Sequence, residues 1–326
     1  MSLFRDAAVM FLVSAAGCMV VGRLLIPALA RAQCLTPVRY EDCPPLAAYQ
    51  ETKPRTPTMG GLFVLGVGCL VAAMGGGLSD RAGRLVLGAV VGLGAIGLVD
   101  DTLKFRRPNA TGLRRGPKLM AALAIGALLG AGSPWSQRLV ELPWLSRSLD
   151  LGWAWVPFAA VVIAGCAHAV NLTDGMDGLA AGCMAIALAI VGLWAMADPF
   201  GRALLPWCAS LAGACVGFLW FNSFPASVVL GDVGALGLGA ALGAMSLLTH
   251  AGLWLMVIGG VFVAEAVSVM LQVASYKWRN KRRVFRVAPL HHHVHLGGLH
   301  ESKVIVRFWI VGLGLAMLGL TRLVTR

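Results

Sequence analysis

Long apolar runs dominate the chain: Ala7–Val21, Met59–Gly77, Leu85–Val99 and Val304–Val324 each approach the roughly 20 residues needed to cross a bilayer. No soluble fold accommodates many such runs, because few charged residues remain to build a water-facing surface. Hydrophobic residues make up 58% of the 326 and charged residues 13%. Glycine, at 41 residues, falls repeatedly inside the runs, where it lets helices pack closely in lipid. The reading is an all-α, polytopic integral membrane protein, with one transmembrane domain over residues 1–326. Hydropathy gives about ten spans: 7–29, 59–78, 84–100, 118–133, 153–170, 175–197, 202–222, 228–248, 251–276 and 303–323. The first is read as a span and not as a cleaved leader, since no small-residue cleavage site precedes a soluble region.

Lysine and arginine set the orientation. The first, third and ninth loops hold seventeen of them, from Arg31, Arg39, Lys53 and Arg55 to Lys277–Arg286 and Lys303, against five in the even loops. Cytoplasmic loops carry the excess of positive charge, so the odd loops are expected inside and both termini outside. The net charge of +12 is then a basic face held against anionic lipid, with no need for nucleic acid. The eight cysteines contain no C-x-x-C pair and mostly lie in apolar runs, as small buried hydrophobes.

Four polar clusters fall on the expected cytoplasmic side. Asp100-Asp101 ends a glycine-rich span, where a carboxylate costs roughly 2.5–3.5 kcal/mol even on lenient insertion scales. A hard divalent cation, Mg²⁺ or Mn²⁺, would neutralise the pair; the alternative is a solvated helix end with Lys104 as counter-ion. Asn171-Leu-Thr-Asp174-Gly-Met-Asp177-Gly puts two acids three residues apart, which on a helix share a face and at a helix start suit the dipole. Asp232 follows Gly231 at the start of a small-residue span and reads as a metal ligand or a cap. His291-His292-His293, after six basic residues from Lys277 to Arg286, suits phosphate oxygens better than zinc, since consecutive histidines do not converge on one metal. Glu265, inside the ninth span, is either a functional acid or a structural hydrogen-bonding group; His168 and His250 are read as structural. Carboxylates, a basic histidine-rich loop and a lipid setting are the parts that metal-assisted phosphoryl transfer needs. A transporter or flippase with an acidic cation site is the rival from another class.

In order along the chain stand Lys53-x-x-Thr56-Pro-Thr58-Met-Gly-Gly61, Val99-Asp100-Asp101, Asn171-Leu-Thr-Asp-Gly-Met-Asp-Gly-Leu179, Phe221-Asn222, Gly231-Asp232, Ala288-Pro-Leu-His-His-His293 and Val306-Arg-Phe-Trp309. With them the chain resembles the polyprenyl-phosphate N-acetylhexosamine-1-phosphate transferases over nearly its whole length. The last two strings set it with members using UDP-MurNAc-pentapeptide, with a UDP-GlcNAc-using transferase as the nearest rival. The resemblance implies transfer of phospho-MurNAc-pentapeptide to undecaprenyl phosphate, giving lipid I and UMP, with Mg²⁺, at the cytoplasmic face of a bacterial inner membrane, by a homodimer. It implies Asp232 as principal metal ligand, with Asp100 and Asp101 beside it and Asp100 acting on the lipid phosphate. Asp174 and Asp177 would line the nucleotide cleft, and His291 would join the catalytic set. Lys53, Thr58, Asn171, Asn222, His292 and His293 would contact the nucleotide sugar, and Lys104 and Lys118 the phosphates. The chain departs from the pattern at Gln50, Arg55, His168, Val229, Ala235 and His295. Val229 stands where a phenylalanine is expected to stack on uracil. A decayed, inactive paralogue is the reading those departures would favour.

Overall fold

The computed structural model describes residues 2–35, 43–51, 53, 55–106, 112–134, 138–145, 147–199 and 201–325. Arg39 and Arg107, two of the charges used for orientation, lie outside these residues. The chain opens with α1 (Ser2–Arg31), the short α2 (Pro44–Glu51), α3 (Gly61–Met74), α4 (Arg81–Arg106) and α5 (Arg115–Gly132). A two-stranded antiparallel hairpin follows, β1 (Leu139–Glu141) with β2 (Ser148–Asp150). Then come α6 (Trp155–Thr173), α7 (Leu179–Ala197), α8 (Leu205–Asn222), α9 (Gly231–Leu248), α10 (Leu255–Ile258), α11 (Gly260–Trp278), α12 (Leu290–His295), α13 (Glu301–Leu320) and α14 (Arg322–Thr325).

The chain is a multi-pass, helical membrane protein. Seven expected spans coincide with helices long and apolar enough to cross a bilayer: α1, α4, α6, α7, α8, α9 and α13. The other three differ from the hydropathy reading. The span at 59–78 contracts to the 14-residue α3, because Gly75, Gly76 and Gly77 end the helix in a turn. That at 118–133 is the 18-residue α5. The stretch 251–276 divides at Gly259 into α10 and α11. The hairpin, absent from the all-α reading, is too short for hydropathy to register.

α9 forms the centre. Every residue from Asp232 to Leu248 is buried, and α3, α4, α6 and α7 pack around it. Leucines alternating with glycine and alanine permit this, because a helix surrounded by helices must be apolar on all sides and narrow. Two contacts need glycine outright. A Cβ on Gly61 would stand 2.1 Å from the Cα of Gly234, and one on Gly97 would stand 2.3 Å from the carbonyl oxygen of Asp232. The second contact draws the end of α4 against the start of α9. On the periphery, α1 and α13 expose Leu12, Leu24, Ile310 and Met317, as lipid-facing helices do.

Candidate active site

Asp100 and Asp101 lie in the last two turns of α4, and Asp232 in the first turn of α9. The close approach at Gly97 brings them together: one oxygen from each falls within 4.8 Å of the others, and all three residues are buried. Two like charges about 5 Å apart repel by roughly 3 kcal/mol at an effective dielectric of about 20. Two lysines answer that repulsion. Lys104 Nζ lies 2.5 Å from Asp100, 3.3 Å from Asp101 and 3.2 Å from Asp232. Lys118, from the first turn of α5, pairs with Asp232 and lies 3.4 Å from Asp100. Backbone donors aim the carboxylates: Leu113 N–H donates to Asp100 at 2.7 Å, and Val233 N–H to Asp101 at 3.1 Å. Among the described residues, three carboxylates face two ammoniums, an acidic surplus. The cluster's hard oxygen donors fit a divalent cation such as Mg²⁺. Thr58 is buried beside it: a Cβ on Gly231, whose φ is +74°, would lie 2.8 Å from both Thr58 Oγ1 and Asp101 Oδ2. His168, on α6, is within electrostatic reach of Lys118 and Asp232.

A second group forms where α6 gives way to α7. Asp174 terminates α6, and residues 174–178 make a turn closed by Gly178 at φ +79°. Asp174 and Asp177 therefore do not share a helix face. Asp177 accepts from Ala226 N–H at 3.0 Å and lies 3.6 Å from Lys53 Nζ. Burial pushes its carboxyl above the usual range, although Lys53 opposes the shift. Lys53 is also 2.5 Å from Glu301, a fully buried acid that opens α13. Glu301 accepts the Tyr49 hydroxyl at 2.5 Å and the backbone N–H of Asp177 at 3.1 Å. Asn222 uses both ends of its amide on backbone: it accepts from Gly178 N–H at 3.0 Å and donates to Val228 O at 2.8 Å. Asn171 is half-buried on the last turn of α6.

The histidines divide. His291 and His292 are buried in α12 with ring centroids 4.1 Å apart, and a Cβ on Gly175 would meet His291 Nε2 at 2.3 Å and His292 Nε2 at 3.1 Å. Burial first, and the nearby charges of His291, His295 and Lys53 after it, hold the His292 imidazole well below its ordinary pKa. His293 turns the other way, accepting from Arg286 N–H at 3.1 Å and resting edge-on against Phe285.

The two groups are joined by the segment from Lys53 to Thr58, whose five residue-to-residue steps span at most about 18 Å. Lys53, Asp177, His291 and His292 thus assemble on one side, and Asp100, Asp101, Asp232, Lys104, Lys118 and Thr58 on the other. Glu301 and Tyr49 were not singled out from sequence. Glu301 carries a legible signal, an acid at the mouth of an apolar span; Tyr49 carries none.

The sequence model of glycosyl transferase family 4 matches residues 84–250, the stretch that contains Asp100, Asp101 and Asp232. Similar curated proteins are phospho-N-acetylmuramoyl-pentapeptide-transferases. That of Thermodesulfovibrio yellowstonii is 42% identical over 295 residues, covering 84% of this chain and 81% of the relative. That of Methylacidiphilum infernorum is 38% identical and covers 95% and 90%; that of Acetivibrio thermocellus is 37% identical and covers 95% and 93%. With likeness of this extent spanning both polar groups, the chain belongs to glycosyl transferase family 4, within the phospho-N-acetylmuramoyl-pentapeptide-transferases.

Proposed function

We propose that this enzyme transfers phospho-MurNAc-pentapeptide from UDP-MurNAc-pentapeptide to undecaprenyl phosphate, releasing UMP and forming lipid I. The observation that carries the reading is the buried cluster of Asp100, Asp101 and Asp232, bridged by Lys104 and Lys118. In the reaction an oxygen of the lipid phosphate bonds to the sugar-bearing phosphorus as the bond to UMP breaks, and UMP keeps the electron pair. Asp100 orients the lipid phosphate and takes its remaining proton, with its carboxylate aimed by Leu113 N–H. Lys104 and Lys118 stabilise charge on the phosphate oxygens. Asp232, Asp100 and Asp101 would hold Mg²⁺, which Mn²⁺ can replace; a bound divalent cation supplies Lewis-acid charge neutralisation to a pyrophosphate.

Lys53, Thr58, Asn171, Asp174, Asp177, Asn222, His292 and His293 are assigned to the nucleotide-sugar side, by direct contact or by shaping the 174–178 turn, and His291 to the catalytic set. The excess of basic residues in the odd loops supports an active site on the cytoplasmic face of the bacterial inner membrane. The chain is taken as one transferase domain that works as a homodimer.

The test is to incubate purified enzyme with undecaprenyl phosphate and labelled UDP-MurNAc-pentapeptide, with and without Mg²⁺. Labelled lipid product and stoichiometric UMP, both dependent on Mg²⁺, are expected. Transfer from UDP-GlcNAc in preference to the pentapeptide substrate would replace this reading with that of a sister transferase.

A further inference from the structure

Glu265, inside α11, has no exposed surface, and neither has the residue it faces, His291 of α12. One carboxylate oxygen accepts the backbone N–H of His291 at 3.1 Å. The other lies 3.2 Å from the same residue's ring Nδ1, within ion-pair distance although the two are not aligned as a hydrogen bond. Gripping backbone and ring together leaves the imidazole little freedom. A carboxylate in this position acts as an acceptor, which favours the proton on Nδ1 and leaves Nε2 with the lone pair.

That Nε2 is buried and has no hydrogen-bond partner. Leaving a buried polar atom unsatisfied costs about 1–3 kcal/mol, so a native structure that keeps one invites a ligand. Nε2 is aimed at the turn after Asp174, where only a residue without Cβ fits: a Cβ on Gly175 would stand 2.3 Å away. Lys53 is gathered at the same turn through Asp177.

We propose that Glu265 is a positioning residue: it fixes His291 as the Nδ1–H tautomer, so that Nε2 accepts a hydrogen bond from a hydroxyl or amide N–H of the nucleotide sugar. This rests on the reading above that His291 belongs to the substrate site. The logic is that of a ring whose second nitrogen is set by the partner of the first. Glutamate is required because an amide at 265 would offer its own N–H to Nδ1, reversing the tautomer and turning Nε2 into a donor.

The test uses the full-length enzyme in lipid nanodiscs with ¹⁵N-labelled histidine, and His291→Asn to assign the resonance. In the wild type, His291 Nδ1 should be protonated and Nε2 should carry the lone pair. In Glu265→Gln the pattern should reverse, and kcat/KM for the nucleotide sugar should fall on the order of 10- to 100-fold. Glu265→Asp, which keeps the acceptor charge, should retain the tautomer and recover part of the loss. The double variant Glu265→Gln/His291→Asn should be no worse than His291→Asn alone. An unchanged tautomer in Glu265→Gln, or losses that add fully in the double variant, would overturn the proposal. Wild-type transfer by His291→Asn would instead remove His291 from the site. The nitrogen spectra would still report whether Glu265 sets the ring, so the two failures are told apart.

Discussion

The two ends of α9 each carry buried charge, about 26 Å apart along an 18-residue helix. At its start, three carboxylates share two lysines. Past its end, Arg322 pairs with Glu141: Nε lies 2.7 Å from the carboxylate, Nη2 donates to Thr249 O at 2.5 Å, and the guanidinium rests 4.8 Å from the Trp194 ring centre. Trp144 closes the same knot, donating to Thr321 Oγ1 at 3.1 Å and packing on Trp254. The contrast separates two uses of buried ions. An arginine–glutamate pair set against aromatic rings ties the hairpin to α9 and α14. An acidic surplus beside the glycine turns of residues 112 and 231 is held ready for cations and phosphate.

That comparison breaks if the acidic end proves structural, and Asp232→Asn tests it most severely. The variant should fold and keep its unfolding temperature within a few degrees, yet lose about a thousandfold in transfer, the factor that about 4 kcal/mol of transition-state stabilisation supplies. Near-normal lipid product from it would sink the assignment. At the other end, Arg322→Met should behave in reverse. Losing the buried guanidinium and stranding a part-buried carboxylate should cost about 3 kcal/mol of stability, read from the unfolding midpoint, while turnover per folded molecule stays near wild type. Equal damage to kcat in both variants would erase the distinction.

The histidine pair sharpens the picture through pH. Because the folded protein holds the His292 imidazole below its ordinary pKa, the unfolded chain binds the extra proton first as pH falls below about 6.5. The contribution of His292 to stability is therefore present above that pH and lost below it, by up to about 1.4 kcal/mol per pH unit. Unfolding midpoints measured between pH 7 and 5 should flatten in His292→Gln. The smallest expected effect concerns the uridine side. Val229 is half-buried, and its backbone is bonded to Pro57 O and Gly60 N–H, both at 2.9 Å, so its side chain is open to exchange. Val229→Phe should tighten UMP binding by about 0.5–1.5 kcal/mol, measured by calorimetry; unchanged affinity would discard the stacking argument.

Much of this was legible beforehand. Apolar length and the Lys/Arg excess define a multi-pass protein with a basic face, because partition into lipid depends on composition within a span and on little else. Asp100, Asp101 and Asp232 were legible as costly acids at span ends, and Glu265 as an acid that needed a partner. The partners themselves were hidden. Asp101 and the N–H of Val233 are 132 residues apart, and Tyr49 and Glu301 252 apart. No local pattern reports contacts at such separations. Local geometry misled at Asp174 and Asp177, where helix spacing suggested a shared face and glycine made a turn instead.

The chain by itself determined the solvent in which it folds, the residue types available for phosphate chemistry and the family to which it belongs, since each depends on identity and order alone. Tertiary structure decided which charges meet. The glycine-dependent approach of α4 to α9 gathers three acids around two lysines, and the opposite end of α9 receives an arginine paired with Glu141. Helix packing chose between these outcomes, because whether a buried charge is a tie or a site depends on which groups the packing brings into its space.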